Sequence, residues 1–279
     1  MMGSAMAARL RSTGHTLRVW NRSADKAAAW VKSGGVACAS PREAATGAQQ
    51  AHVMVADDGA VEAIVFGEDG ILNGLQRGSA IIDHSTVAPS GAKQRSRRLH
   101  DRGFTFLQCP VFGSPPNILE GKGLMLIGGE ETVYNKVRDV LNAILPDHFR
   151  AGEKPEDAAT FKLMGNSMLV NVVEALAEFY AIAKANGIDP HRAFSLLNVF
   201  NPCGTIQRRG PRMAAGDYQP MFTLTMALKD VSLMLDAAGP AAQLPSLETI
   251  SAKMKRLVEA GKANLDLAAL GVDVIPAAG

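Results

Sequence analysis

Up to about residue 152 the chain alternates short β-branched runs with Ala-rich helical stretches; beyond that point the β-branched runs stop. Strands are expected at 17–20, 36–38, 52–55, 80–83, 104–108 and 124–127. Helical patterns lie between them, such as 25–33 behind a Ser23 cap and 41–47 behind Ser40. Strands alternating with helices of this length build βαβ units and a parallel sheet. One long helical pattern then covers 156–186, closed by Asn186-Gly187 and Pro190, and the rest reads as further helices. The expectation is an α/β domain over 1–152 and an all-helical domain over 153–279, linked by the long helix.

Composition narrows the partners. Lys+Arg 29 against Asp+Glu 27 gives a net charge of +2, and aromatics are 5%. Neither a nucleic-acid surface nor a base-stacking platform is expected from such a balance. The basic run Lys93, Arg95, Arg97, Arg98 and Arg102 reads as a solvated helix face. No stretch approaches the ~18 apolar residues of a membrane span. Cys38, Cys109 and Cys203 lack metal-ligand spacing and read as reduced thiols of a cytoplasmic protein. Arg9, Arg11 and Arg18 precede the first acid, Asp25, as in a mitochondrial transit peptide, but a nucleotide site explains this segment better. Glu174 and Glu178, four apart on the long helix, do not make a metal site alone.

Met2-Gly3-Ser4-Ala5-Met6-Ala7 opens a helix, and a strand follows. A helix N-terminus can hold a dinucleotide's pyrophosphate, and Gly3 would let helix and strand pack closely. After the next strand, Asn21-Arg22-Ser23 stands where an acid would bind the ribose hydroxyls of NAD. Arg22 suits a 2′-phosphate instead, so NADP is the expected cofactor, with NAD as the alternative.

Four segments carry a family resemblance. Met2 to Ala7 is similar to the end of a Gly-Leu-Gly-x-Met-Gly signature, and Asp83-His84-Ser85-Thr86-Val87-Ala88-Pro89 to Asp-x-Ser-Thr-x-x-Pro. Lys162-Leu163-Met164-Gly165-Asn166 matches Lys-x-x-x-Asn, and Leu228-Lys229-Asp230 matches a late Lys-Asp pair. Their order and spacing resemble the β-hydroxyacid dehydrogenases, which include 3-hydroxyisobutyrate dehydrogenases and glyoxylate/succinic semialdehyde reductases. The resemblance implies a Rossmann-type domain, a long helix and a helical domain through which a homodimer or homotetramer forms. It implies hydride transfer between NAD(P) and a small hydroxy acid or its aldehyde or keto counterpart. It also implies a strand and two glycines upstream of Gly3, so a truncated or misplaced start is the expectation.

Residue roles follow. Lys162 and Asn166 are four apart on one helix face, roughly 40° from each other. Lys162 would act as general acid/base, its pKa lowered by partial burial, and Asn166 would orient the substrate hydroxyl or the lysine. The resemblance sets Val55-Ala56 and Thr86 against the cofactor, and Ser85 against the substrate. Phe112-Gly113-Ser114 stands where the family has Ser-Gly-Gly, so Gly113 and Ser114 are substrate candidates while Phe112 points to a less polar substrate. Lys229 would reach the cofactor, and its neighbour Asp230 should point away from it along the helix. An imine reductase and a non-catalytic binding module built on the same fold are the alternatives; Lys162 speaks against the first, and the retained set of Arg22, Lys162, Asn166 and Lys229 against the second.

Overall fold

The computed structural model describes residues 1–240 and 242–275. It divides into two compact units, Met1–Ser167 and Met168–Gly279, and the division falls inside the long helix.

In the first unit the strands are β1 (Arg18–Val19), β2 (Val36–Ala37), β3 (Gln50–Val53), β4 (Ala80–Asp83), β5 (Thr105–Gln108), β6 (Val111–Phe112), β7 (Leu124–Gly128) and β8 (His148–Gly152). The helices are α1 (Met2–Ser12), α2 (Ala24–Lys32), α3 (Pro41–Ala45), α4 (Asp58–Phe66), α5 (Pro89–His100), α6 (Pro115–Leu119), α7 (Glu131–Ile144) and the start of α8 (Pro155–Ala185). The expected parallel pairing runs through β3-β4-β5, with Val53 opposite Asp83 and Asp83 opposite Gln108. β7 then pairs antiparallel with β5 and β6, and parallel with β8. β1 and β2 form a separate two-stranded parallel sheet.

Each strand sends alternate side chains to opposite faces, which gives the large sheet two cores. Ile82, Leu107, Met125 and Ile127 meet Ala5, Met6 and Leu10 of α1 and Val137 and Leu141 of α7. Ile81 and Phe106, one position earlier, meet Val61 and Val65 of α4 and Ala92 and Leu99 of α5. Local capping agrees with the sequence signals. Ser40 accepts from the Glu43 N–H while Glu43 Oε2 accepts from the Ala39 N–H, a reciprocal box at the start of α3. Ser23 occupies the cap position of α2 without a side-chain bond.

The second unit continues α8 and adds α9 (Pro190–Ser195), α10 (Gly204–Ala214), α11 (Leu224–Ala238) and α12 (Pro245–Leu257). Leu224, Ala227 and Val231 of α11 pack on Met254 and Leu257 of α12. Two buried carboxylates brace this unit. Glu178 accepts from the Ser246 and Leu247 N–H groups at the start of α12 (2.6 and 3.2 Å). Asp266 takes Arg209 at 2.8 Å together with the Met221, Phe222 and Ala268 N–H groups. Those bonds hold its carboxyl well below the usual range against the opposing effect of burial. Glu178 is thus a helix cap, and no cluster of three or more metal-ligating side chains occurs among the described residues.

Candidate active site

Three parallel strands end together, and the chain segments leaving them are tied to one another. Ser85, two residues past β4, is fully buried. Its N–H donates to Asp83 Oδ1 (2.8 Å) and its hydroxyl accepts from the Val55 N–H (2.9 Å), just past β3. Gln108, the last residue of β5, donates through Nε2 to the carbonyls of Asp83 (3.1 Å) and Ser85 (2.9 Å). Val55 and Ser85, called from sequence, are therefore in direct contact. Thr86 and Ala56, their neighbours, are exposed at the same edge. Open α/β sheets bind ligands at this edge.

Lys162 joins the edge from α8. Its ammonium donates to the Val111 carbonyl at 2.8 Å, three residues beyond β5. The Phe112 ring covers it, with Nζ 3.8 Å from the ring centroid. Only 8% of the residue is exposed. Burial holds the Lys162 pKa below the ordinary lysine value, because an ammonium removed from water loses hydration. The Val111 bond and the aromatic face occupy part of its donor capacity and leave at least one N–H free for a reacting oxygen. Gly165, one turn on, makes this arrangement sterically possible: a Cβ there would lie 2.2 Å from Phe112 Cζ. Asn166 is half-buried on the same helix, one turn from Lys162.

The remaining sequence candidates divide. Gly3 sits in α1 against Met54, where a Cβ would stand 3.4 Å from Met54 Cβ; the N-terminus of α1 thereby reaches the segment leaving β3. Asn21, Arg22 and Ser23 are exposed beyond β1, with Asn21 Oδ1 accepting from the Ser23 N–H at 2.9 Å. Arg22 makes no hydrogen bond or ion pair among the described residues, so its guanidinium is available to a ligand. The N-terminus of α1 and the unpaired guanidinium beyond β1 fit a phosphorylated dinucleotide. Gly113 is exposed, with Ile118 Cδ1 3.3 Å from where its Cβ would be. Ser114 is engaged elsewhere: its hydroxyl hydrogen bonds Asn117 Oδ1 and it caps α6. Lys229 lies on α11 in the second unit, and its ammonium pairs with Asp230 at 2.7 Å. The two residues stand about 100° apart around the helix, and the flexible lysine stem spans that step to form a solvated pair.

Two features were not anticipated. Arg95 is not on a solvated face; it is 1% exposed and donates to Asp58 Oδ1 at 2.7 Å. Its spacing with Ala92 and Leu99, both buried on α5, is the helical signal that would have found it. The second is a neutral histidine chain. His84 Nδ1 donates to the Cys109 carbonyl (2.8 Å), so its Nε2 accepts from His52 Nδ1 (2.9 Å). Burial pushes His52 down to about 3 and His84 to about 4. Burial likewise pushes the Asp83 carboxyl up to about 6 and raises the Cys109 thiol, leaving that thiol inert.

Residues 1–150 match the family described as the NAD binding domain of 6-phosphogluconate dehydrogenase. Residues 157–272 match the NAD-binding family of NADP-dependent 3-hydroxyisobutyrate dehydrogenase. The chain is 28% identical to the L-threonate dehydrogenase of Cupriavidus necator over 241 residues, covering 85% of this chain and 80% of that one. It is 27% identical to the 2-hydroxy-3-oxopropionate reductase of Escherichia coli over 272 residues, covering 97% and 92%. Among solved structures, an imine reductase from Myxococcus stipitatus in complex with NADP+ superposes with a TM-score of 0.87 at 21% identity, covering 96% and 95%. That last likeness concerns the fold.

Proposed function

Because this chain belongs to the β-hydroxyacid dehydrogenase family, we propose that it is an NADP-preferring oxidoreductase interconverting a small hydroxy acid and its aldehyde or keto counterpart. It is an NAD(P)-dependent enzyme of the class that acts on CH–OH groups. The observation that carries the finer reading is Lys162, a buried ammonium held at the carboxyl edge of the sheet by one carbonyl and one aromatic face. When bound, the nicotinamide supplies or accepts the hydride at the substrate carbon. In reduction Lys162 gives a proton to the carbonyl oxygen as the C–H bond forms. In oxidation the neutral amine takes that proton from the hydroxyl. Its lowered pKa brings the two forms closer in energy, as acid–base work in both directions requires. Asn166 orients the same oxygen without adding charge. Gly3, Asn21, Arg22, Ser23, Val55, Ala56, Thr86 and Lys229 are assigned to the dinucleotide. Ser85 and Gly113 are assigned to the substrate, and Ser114 supports them by fixing the turn into α6.

NADP preference rests on Arg22, whose guanidinium can hold a 2′-phosphate through two N–H groups and which pairs with no acid among the described residues. Homo-oligomerisation through the helical unit is supported by a run of exposed apolar residues on α8, including Met168, Leu169, Val170 and Val173. Among the described residues no helix is long and apolar enough to cross a membrane, and unpaired Cys38, Cys109 and Cys203 accord with a cytoplasmic setting. A second reading, reduction of an uncharged C=N substrate, draws on Phe112, whose ring occupies the space above Lys162. The test is fluorescence titration with NADPH and NADH, then turnover of hydroxy acids, aldehydes and cyclic imines by wild type and Lys162→Met. The expected result is tighter NADPH binding, hydroxy-acid or aldehyde turnover, and a kcat lowered by about 10²–10⁴ in the variant with binding kept. Full turnover by Lys162→Met would sink the mechanism, and turnover of imines alone would favour the second reading.

A further inference from the structure

We propose that Arg95 is a positioning residue that clasps the two nicotinamide-side turns, 55–57 and 84–88, at a fixed separation. The inference rests on the active-site reading above, since those turns carry Val55, Ala56, Ser85 and Thr86.

Arg95 lies on α5, which the second turn leads into, yet its strongest bond goes to Asp58 at the start of α4, which the first turn leads into (2.7 Å). Asp58 is used on both sides: Oδ1 takes Arg95, and Oδ2 takes the Ala88 N–H at 2.9 Å. Gly91 provides the room, because a Cβ there would stand 2.1 Å from Asp58 Oδ1. On its inner side Arg95 Nη2 faces Asp83 Oδ2 at 3.9 Å, with both residues essentially without exposure. Asp83 in turn holds the Ser85 N–H. Arg95 and Asp58 together therefore link the start of α4, the N-terminus of α5 and the last residue of β4. Burying Arg95 and Asp83 for stability alone is inefficient, since apolar packing of the same volume is often as stable, while Asp58 keeps part of its carboxylate in water. What such a network supplies is a single geometry for the two turns.

The groups facing Asp83 are Arg95 from α5, Asp58 from α4, and His84 and Cys109 beside it; Glu62 of α4 stands 4.0 Å from Arg95. Arg95 is the cation of this set in contact range of Asp83, and its removal raises the Asp83 pKa further. That shift reports loss of the Arg95 charge beside Asp83, and amide exchange at the two turns reports the clasp.

The experiment compares wild type with Arg95→Met, Arg95→Lys and Asp58→Asn. Amide hydrogen exchange at Val55, Ser85 and Ala88 is read without nucleotide, and NADPH affinity is read by nicotinamide fluorescence from pH 5 to 8. Expected for Arg95→Met are exchange faster by about tenfold or more at those amides with the β5 amides unchanged, and NADPH binding weaker by about tenfold. The acid limb of binding should move to higher pH, and Arg95→Lys should recover part of each effect. Asp58→Asn, which leaves the buried cation in place, should loosen Ala88 foremost. Wild-type exchange at Val55 and Ser85 in Arg95→Met, or faster exchange spread evenly through the unit, would overturn the proposal. So would loosened turns with unchanged NADPH affinity and an unmoved acid limb. Failure of wild type to bind NADPH and NADH would count against the active-site reading, while the exchange data would still decide the clasp.

Discussion

Replacing Gly165 by alanine sets two opposed effects against each other on one helix. Alanine is preferred over glycine in a helix interior by about 1 kcal/mol, so propensity predicts a more stable protein. The new Cβ, however, would lie 2.2, 2.9 and 3.1 Å from three atoms of the Phe112 ring, all well inside contact distance. Gly165 sits in an unbroken helix turn and the Phe112 backbone is held in the β6 ladder with Leu124, so the clash is met by turning the ring. Overpacking of this kind costs about 1–3 kcal/mol, so the net change is a loss of up to about 2 kcal/mol. Moving the ring also uncovers Lys162. Losing the cation–π contact, worth about 0.5–2 kcal/mol, would lower the lysine pKa, whereas restoring hydration would raise it by more. The Lys162 pKa should therefore rise. Chemical denaturation gives the stability, and the pH profile of kcat in the oxidation direction gives the pKa. The midpoint of the rise should lie below the ordinary lysine value in wild type and higher in Gly165→Ala. A Phe112→Ala/Gly165→Ala double variant should recover the stability lost through the clash. Gly165→Ala that is about 1 kcal/mol more stable, with the wild-type pH profile, would refute the stacked arrangement.

Arg22→Ala should weaken NADPH binding by about 1–3 kcal/mol and leave NADH binding within about 0.5 kcal/mol, read by titration of each nucleotide. Stability should fall as pH drops from 6 to 4. His52 and His84, with pKa values lowered on folding, contribute stability above 6.5 that is lost as pH falls toward about 3 and 4. Asp83, raised to about 6, works in the opposite sense: its contribution is complete below 3.8 and lost as pH rises through 6. The unfolded chain thus gains about two protons and the folded one about one, a net slope of about 1 kcal/mol per pH unit that Asp83→Asn should steepen in denaturation measured across this range. Glu178→Leu should destabilise the helical unit by about 2–4 kcal/mol, because two N–H groups at the start of α12 lose a charged acceptor; an unchanged midpoint of unfolding would show that water replaces the carboxylate without loss.

The layout was legible because periodicity reports which faces are buried. The alternation Ile81 against Ile82, and Phe106 against Leu107, is the same alternation that fills the two cores. α8 was expected over 156–186 and runs Pro155–Ala185. Short edge elements were less visible: β6 has two residues and takes its identity from pairing with β7, a partner more than ten residues away in sequence. At the candidate site, the residue types were readable and their contacts were not. Lys162 announced itself by its motif, but nothing local says that Phe112, fifty residues earlier, lies over its ammonium. Arg95 was misread because charge was weighed ahead of phase. Ser114 was read for its hydroxyl, whereas the prolines after it make that hydroxyl a helix cap.

Gln108 ties the carbonyls of Asp83 and Ser85 to the end of β5 through one side-chain amide. A glutamate at this position would present an acceptor to those two carbonyls in place of a donor, so the segment after β4 would lose its anchor to β5 with no change in side-chain length. The choice of amide over acid at the end of one strand thus sets where the loop leaving the next strand comes to rest.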